Sequence, residues 1–199
     1  MSGLLAIVIA YVLGAIPFGY LLVKFTKGED VRASGSGNIG ATNVLRTTGR
    51  AAGVATLLLD ILKGVAAVWL ASLLTDDAPQ WTSLAALAVM AGHAYPVFLK
   101  FQGGKAVATF IGAFAVLTPL PLAAVMLLFI ATVAVTRHIS AGSILAAAAF
   151  PFGVWMILHP PYQITAAAFA AGAFVVYRHQ SNWQRLRAGT ENVFRWSSK

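Results

Sequence analysis

Seven apolar runs, separated by short polar turns and one long polar loop, set the terms on which this sequence can fold. They cover residues 4–25, 51–74, 83–99, 106–117, 122–136, 141–158 and 162–177. A helix crosses the hydrocarbon core of a bilayer with about 17–25 predominantly apolar residues. Lipid offers backbone N–H and C=O groups no partner except each other, so such runs fold as helices. Only 10% of the 199 residues are charged, where a soluble domain carries about 25%. A chain of this size and composition has too little polar surface to cover itself in water. The expectation is an all-α polytopic membrane helix bundle of seven transmembrane helices, forming one membrane-embedded domain over residues 1–199. Met1-Ser2-Gly3 supplies no basic segment ahead of the first run, so that run reads as a retained helix and not a cleaved leader.

Details within the runs qualify this outline. Pro17 and Gly19 permit a kink in the first run. The run 106–117 is short for an upright span, and Thr118-Pro119-Leu120-Pro121 separates it from the next. Two short spans or one re-entrant hairpin both fit; apolar flanks on each side favour two spans. The second run contains Asp60 and Lys63, one turn apart on one helix face. Ionisable groups in a span face a bundle interior or a wet cavity; a buried structural ion pair and a functional pair are equally good readings of these two.

Charge sets the orientation. Lys24, Lys27, Arg32, Arg46, Arg50, Lys100, Lys105, Arg137, Arg178, Arg185, Arg187, Arg195 and Lys199 all fall in alternate loops or the C-terminal tail. The intervening loops and the N-terminus have no lysine or arginine, and Lys63 alone lies within a span. The positive-inside rule then places the N-terminus outside and the C-terminus in the cytoplasm. A net charge of +8 distributed in this way marks topology and anionic ligands, not a nucleic-acid surface. There is no cysteine for a disulfide or a thiol nucleophile, and the six acidic residues are scattered, with no metal-ligand spacing.

The unusual polar clusters fall on the cytoplasmic side. The stretch 34–46 holds Gly35, Gly37 and Gly40, hydroxyls at Ser34, Ser36 and Thr42, amides at Asn38 and Asn43, and the cation Arg46. Glycine lets a backbone take φ > 0 and approach a ligand closely, and successive N–H groups then form an anion-binding concavity. A flexible connector has the same composition. Gly103-Gly104-Lys105 opens the fourth run, and N–H groups at a helix start favour anions. Leu99, five positions before Gly104, rules out a P-loop. Lys105 alone would also serve as an interfacial anchor, and His179 as an interfacial histidine. Two such turns and several cations on one face together point to phosphate groups bound at the membrane surface.

The residues Gly35-Ser36-Gly37-Asn38-Ile39-Gly40-Ala41-Thr42-Asn43-Val44-Leu45-Arg46 are followed by Asp60-Ile61-Leu62-Lys63-Gly64. Then come Gly92-His93, Pro96, Gly103-Gly104-Lys105-Ala106-Val107-Ala108-Thr109, Arg178-His179, Asn182, Arg185-Leu186, Gly189 and Glu191. In this order the chain resembles the bacterial acyl-phosphate:glycerol-3-phosphate acyltransferase family over nearly its whole length. The resemblance implies a seven-span inner-membrane enzyme without a cofactor. Such an enzyme moves a fatty acyl group from acyl phosphate to the sn-1 hydroxyl of glycerol 3-phosphate. It implies an active site containing Ser36, Asn38, Arg46, His179 and Asn182. Gly35, Gly37, Gly40, Thr42, Asn43, Gly103, Gly104 and Lys105 would bind substrate, the Gly-Gly-Lys turn taking the phosphate of glycerol 3-phosphate. Ser143 is grouped with the substrate-binding residues, and Glu191 with them or as a structural residue. One departure is Ala106, where the family usually has glycine. At φ > 0 an alanine there would strain the turn by roughly 1 kcal/mol; within the helix it would stabilise it by about as much.

An acyl phosphate already carries a good leaving group. The protein's tasks are therefore to position the hydroxyl and to stabilise the oxyanion and departing phosphate. The positions five after His93, His138, His159 and His179 are Phe98, Ser143, Ile164 and Gln184, so the His-x4-Asp pair of soluble-type glycerolipid acyltransferases is absent. Direct transfer with His179 as base, proton uptake by a substrate phosphate, and an acyl-Ser36 intermediate remain alternatives. An organic-phosphate transporter is the competing class, and a structural membrane protein a third. A transporter places its site near the midplane, which fits less well with polar motifs gathered on one face.

Overall fold

A computed structural model describes residues 1–194 and is all helical among them, with no strand. Arg195 and Lys199, counted above among the cytoplasmic cations, lie outside the described residues. The chain divides into two compact units, Met1–Val116 and the segment from Leu117 onward.

The first unit holds α1 (Ser2–Ala15), α2 (Phe18–Lys27), α3 (Ala41–Thr48), α4 (Arg50–Leu74), α5 (Pro79–Ala94) and α6 (Val107–Leu117, which runs one residue past the division). α1 packs on α4 and α5, while α2 and α3 pack on α4. Contacts between α1 and α5 are made through small residues. A Cβ on Gly14 would collide with the Val89 backbone, and one on Gly92 with that of Tyr11. Ala6, Ala10, Ala85 and Ala86 are buried. Close backbone approach of this kind is how helices associate in lipid.

α4 is ordered inside out. Leu58, Leu62, Trp69 and Leu73 point outward, whereas Thr56, Asp60 and Lys63 are buried. Lys63 Nζ lies 2.9 Å from Asp60 Oδ1 and donates to Ile16 O at 2.9 Å. That carbonyl belongs to the break between α1 and α2, where Pro17 supplies no N–H. The kink permitted in the first run is therefore a full interruption, whose Ile16 carbonyl accepts both from Phe18 N at 3.2 Å and from a lysine of α4.

The second unit holds α7 (Pro119–Thr136), α8 (Ile139–Leu158), α9 (Tyr162–Arg178) and α10 (Gln180–Arg187). α8 packs between α7 and α9, and α10 adjoins α8 and α9. Only Thr118 separates α6 from α7. The break expected over 118–121 is shorter because Pro119 and Pro121 sit in the first turn of α7, where no intrahelical N–H is needed. Pro151 lies inside α8 and cannot donate to Ala147 O. A Cβ on Gly172 of α9 would collide with that carbonyl, so α9 approaches α8 closely there.

Among the described residues, five helical stretches are long and apolar enough to cross a membrane: Ser2–Lys27, Arg50–Leu74, Pro79–Leu99, Pro119–Thr136 and Ile139–Leu158. The other two runs form the 11-residue α6 and the 17-residue α9.

Candidate active site

The segment linking α2 to α3 is built around two tied residues. The Asp30 carboxylate accepts from Arg32 N at 2.9 Å, capping the 3₁₀ turn Val31–Ala33. It also takes the Arg32 guanidinium at 2.7 Å, and that cation lies over the Tyr20 ring, 5.4 Å from its centroid. The Arg32 hydrogen bonds hold the Asp30 carboxyl below its ordinary range. The second tie is Asn43, buried in α3. Its Nδ2 donates to Asn38 O at 2.8 Å, Ser34 O at 3.1 Å and Val31 O at 3.2 Å. Its Oδ1 accepts from Ser36 N at 2.8 Å. Both ends of the amide thus hold the loop's own backbone, and a direct bond to substrate has to displace one of them.

With Asn43 at its centre the loop presents its tip outward. Gly35, Ser36 and Gly37 are exposed within the unit. Gly35 and Gly37 have φ of 62° and 69°, as expected of a glycine turn, and a Cβ on Gly35 would also overlap Asn43 Oδ1. Gly40 is different: its φ is −77°, and its N–H donates to Asn38 Oδ1 at 2.7 Å. Thr42 and Arg46 lie one turn apart on α3, with Arg46 exposed in the last turn, where the helix dipole favours a cation.

Gly103-Gly104-Lys105 leads into α6. Gly103 N donates to Ala94 O and Gly104 N to His93 O, each at 3.1 Å, which pins the turn to the end of α5. Neither glycine has positive φ; the left-handed residues here are Lys100, Phe101 and Ala106, at 52°, 61° and 60°. The two glycines are required for space. A Cβ on Gly103 would collide with His93 O, and one on Gly104 with His93 Nε2. Ala106 takes the strained alternative of the two considered above. Its carbonyl accepts from Phe110 N at 2.7 Å, so it stands at the helix entrance.

The loop and the Gly-Gly-Lys turn share a foundation. Val31 and Ile39 of the loop, Val44 of α3, Val23 of α2 and Leu99, four residues before Gly103, form one buried apolar cluster. The loop and the segment leading into the Gly-Gly-Lys turn are therefore packed on one base within the first unit.

In the second unit Glu191 is the gathering point. Its Oε1 accepts from Asn182 Nδ2 at 2.7 Å and Ser140 Oγ at 3.1 Å, and its Oε2 from Arg185 Nε at 2.7 Å. Burial raises the carboxyl's affinity for a proton, but the donors from Asn182, Arg185 and Ser140 outweigh it, and its pKa lies below the usual range. Two further bonds hold the following residues to the α7–α8 turn: His138 Nδ1 to Asn192 O at 3.2 Å and Phe194 N to Arg137 O at 2.7 Å. His179 sits buried at the junction of α9 and α10, its Nδ1 2.7 Å from Val175 O. A carbonyl only accepts, so Nδ1 carries the proton and a neutral ring keeps its lone pair on Nε2. Ser143 is buried and donates back to Ile139 O at 3.0 Å.

The structure thus brings Ser36, Asn38, Asn43 and the three loop glycines together. It also joins Asn182 to Glu191. His93 and Arg185 stand among the motif residues of the sequence without an assigned role, and the sequence does not single out Ser140 at all. Ser140 and Arg185 are far apart in sequence, and no local pattern links either to Glu191.

The profile of the family described as "Glycerol-3-phosphate acyltransferase" matches residues 4–189. A glycerol-3-phosphate acyltransferase of Geobacter sulfurreducens is 46% identical over 195 residues, 98% of this chain and 99% of that protein. One of Trichlorobacter lovleyi is 48% identical over 196 residues, 98% of each. Two crystal structures of PlsY (YgiH), an integral membrane glycerol 3-phosphate acyltransferase, share the fold. The glycerol 3-phosphate form has a TM-score of 0.92 at 36% identity, covering 98% of this chain and 96% of that one. The lysophosphatidic acid form has a TM-score of 0.88 at 33% identity, covering 98% and 97%. Matched from end to end in sequence and in helical architecture, the chain belongs to the glycerol-3-phosphate acyltransferase family.

Proposed function

We propose that this chain is an acyl-phosphate-dependent glycerol-3-phosphate acyltransferase. It transfers a fatty acyl group to the sn-1 hydroxyl and releases lysophosphatidic acid and phosphate, the first acylation of phospholipid synthesis. The observation that carries this reading is the apolar cluster that joins the 34–46 loop, through Ile39 and Val44, to Leu99 in the segment that leads into the Gly-Gly-Lys turn. It gives one unit two anion-type turns, the number that two phosphorylated substrates require.

In the step itself the sn-1 oxygen attacks the acyl carbonyl carbon. A C–O bond forms, the bond from that carbon to the phosphate oxygen breaks, and phosphate leaves with the electron pair. The hydroxyl proton passes to His179 Nε2. The tautomer set by Val175 O supports that role, and a positioned base contributes about 10²–10⁴-fold. Loop N–H groups, Asn38 and Arg46 stabilise the oxyanion and the departing phosphate, while Ser36 and Thr42 bind the donor's phosphate. Direct transfer is preferred over an acyl-Ser36 intermediate because the adjoining Gly35, Gly37 and Asn43 offer the serine no base. Gly103, Gly104 and Lys105 take the phosphate of glycerol 3-phosphate. Asn182, oriented by Glu191, and Ser143 act on the acceptor side. The enzyme is a seven-span protein of the bacterial inner membrane, its N-terminus outside and its active site and C-terminus cytoplasmic. The helices α6 and α9 complete the seven.

Purified protein in liposomes, given acyl phosphate and glycerol 3-phosphate, tests this directly. Equal amounts of lysophosphatidic acid and phosphate are expected; uptake of glycerol 3-phosphate without acylation would instead identify a transporter. His179→Ala should lower kcat about 10²–10⁴-fold, and near-normal turnover at saturating substrate would remove the base role.

A further inference from the structure

A chain of buried polar groups runs from α4 to the Gly-Gly-Lys turn. Asp60 Oδ1 stands 2.9 Å from Lys63 Nζ and 3.6 Å from His93 Nδ1. All three side chains are buried, at 2–4% exposure. Lys63 is in turn fixed to Ile16 O at the α1–α2 break. On the opposite edge of the imidazole, Nε2 fills the space a Cβ on Gly104 would need. The backbone of the same histidine accepts the Gly104 N–H at 3.1 Å. His93 therefore meets Gly104 with main chain and side chain together. The Lys63-paired carboxylate stands beside the Nδ1 edge of that ring and the Gly104 backbone beside its Nε2 edge, so the imidazole is confined from both sides.

We propose that His93, held by Asp60 and Lys63, is a positioning residue for the Gly103-Gly104-Lys105 turn. The ring is the floor on which the turn is set, at the height and tilt that aim Lys105 at a phosphate monoester, while the Gly103 and Gly104 N–H groups anchor the turn to α5. This rests on the reading that the turn binds the phosphate of glycerol 3-phosphate. Displacements of about 1 Å at a positioning contact can cost 10²-fold, so loss of the ring should appear in the use of this one substrate.

The test is steady-state kinetics on the purified full-length enzyme in nanodiscs, with both substrates varied and melting temperatures measured in parallel. The variants are His93→Ala, His93→Gln, Asp60→Asn and Lys105→Ala. His93→Ala should raise the KM for glycerol 3-phosphate about tenfold or more. Its kcat should change less than about threefold, with the KM for acyl phosphate unchanged. His93→Gln keeps a polar group near the Nε2 position and should restore part of that loss, while Asp60→Asn should show a weaker form of it. If His93→Ala does not fold, the KM effects of His93→Gln and Asp60→Asn carry the test. A fall in melting temperature and active fraction, with KM for glycerol 3-phosphate unchanged, would show a purely structural histidine and overturn the proposal. If Lys105→Ala raises that KM while the His93 and Asp60 variants do not, the positioning role alone fails. If Lys105→Ala also leaves it unchanged, the phosphate reading of the turn fails and the proposal with it.

Discussion

Asn182 and Glu191 are joined by a 2.7 Å hydrogen bond from Nδ2 to Oε1, which ties α10 to the segment that follows it. With Ser140 and Arg185 on the same carboxylate, that bond fixes which way the Asn182 amide faces. Glu191→Gln places an NH₂ where one of these donors now points. The expected cost is about 1–3 kcal/mol for the buried groups left unmatched, read as a lower melting temperature. Activity should fall further than stability alone explains, because Asn182 loses its orientation.

The same carboxylate gives a pH signature. Its folded-state pKa lies below the ordinary value of 4.5, so it contributes stability in full above pH 4.5. That contribution is lost as pH falls from there through the depressed folded-state value. Asp30 acts in the same sense from an ordinary value of 3.8. Melting curves of the wild type and Glu191→Gln should therefore run parallel above about pH 5 and converge in more acidic buffer. A gap that stays constant down to pH 3 would contradict the assignment.

Asn43→Asp tests the loop. The substitution is nearly isosteric but turns a donor facing three carbonyls into an acceptor. Asn43→Ala should cost about 1–3 kcal/mol, and Asn43→Asp more, since it adds a buried charge facing oxygens. Thermal stability in a common detergent should rank wild type, then alanine, then aspartate.

Lys63→Met strands the Asp60 carboxylate, which is 3% exposed. Breaking one half of a buried pair costs about 3–5 kcal/mol. The double variant Asp60→Asn/Lys63→Met removes the orphaned charge and should recover a substantial part of that. Additive losses in the double-mutant cycle would show that the two residues do not act as a pair.

Ala106→Gly sets two effects of similar size against each other. Relief of the left-handed conformation, at φ 60°, is worth about 1–2 kcal/mol. The methyl it removes is fully buried, and losing it costs about 0.8 kcal/mol. The variant should match or slightly exceed the wild type in melting temperature, whereas Ala106→Val should fall well below it.

Much of this fold was legible from the apolar runs, because lipid leaves helices as the only solution for them. Helix ends were less legible where proline stands. Pro119 and Pro121 read as a break but serve as the first turn of α7, since proline's missing N–H matters only deeper in a helix. At the site, Gly35 and Gly37 were readable as left-handed glycines. Gly103 and Gly104 were not: their glycine identity comes from a histidine on α5, and no local rule reveals which side chain will occupy a neighbour's space. Asn43 and Glu191 carried the right motifs, yet their polar atoms hold the protein's own chain. Sequence spacing cannot separate a residue that touches a ligand from one that holds the residue that does.

The interruption at Ile16 also has a place in time. Its carbonyl finds Lys63 Nζ 47 positions further along the chain. At about 5–20 residues per second of synthesis, α1 and α2 exist for several seconds before that lysine is made. The first span therefore enters the bilayer with only the Phe18 N–H on that carbonyl, at 3.2 Å, and the arrival of α4 adds the lysine. Lys63 thus acts as a late-arriving latch, recording that the first and fourth helices have met.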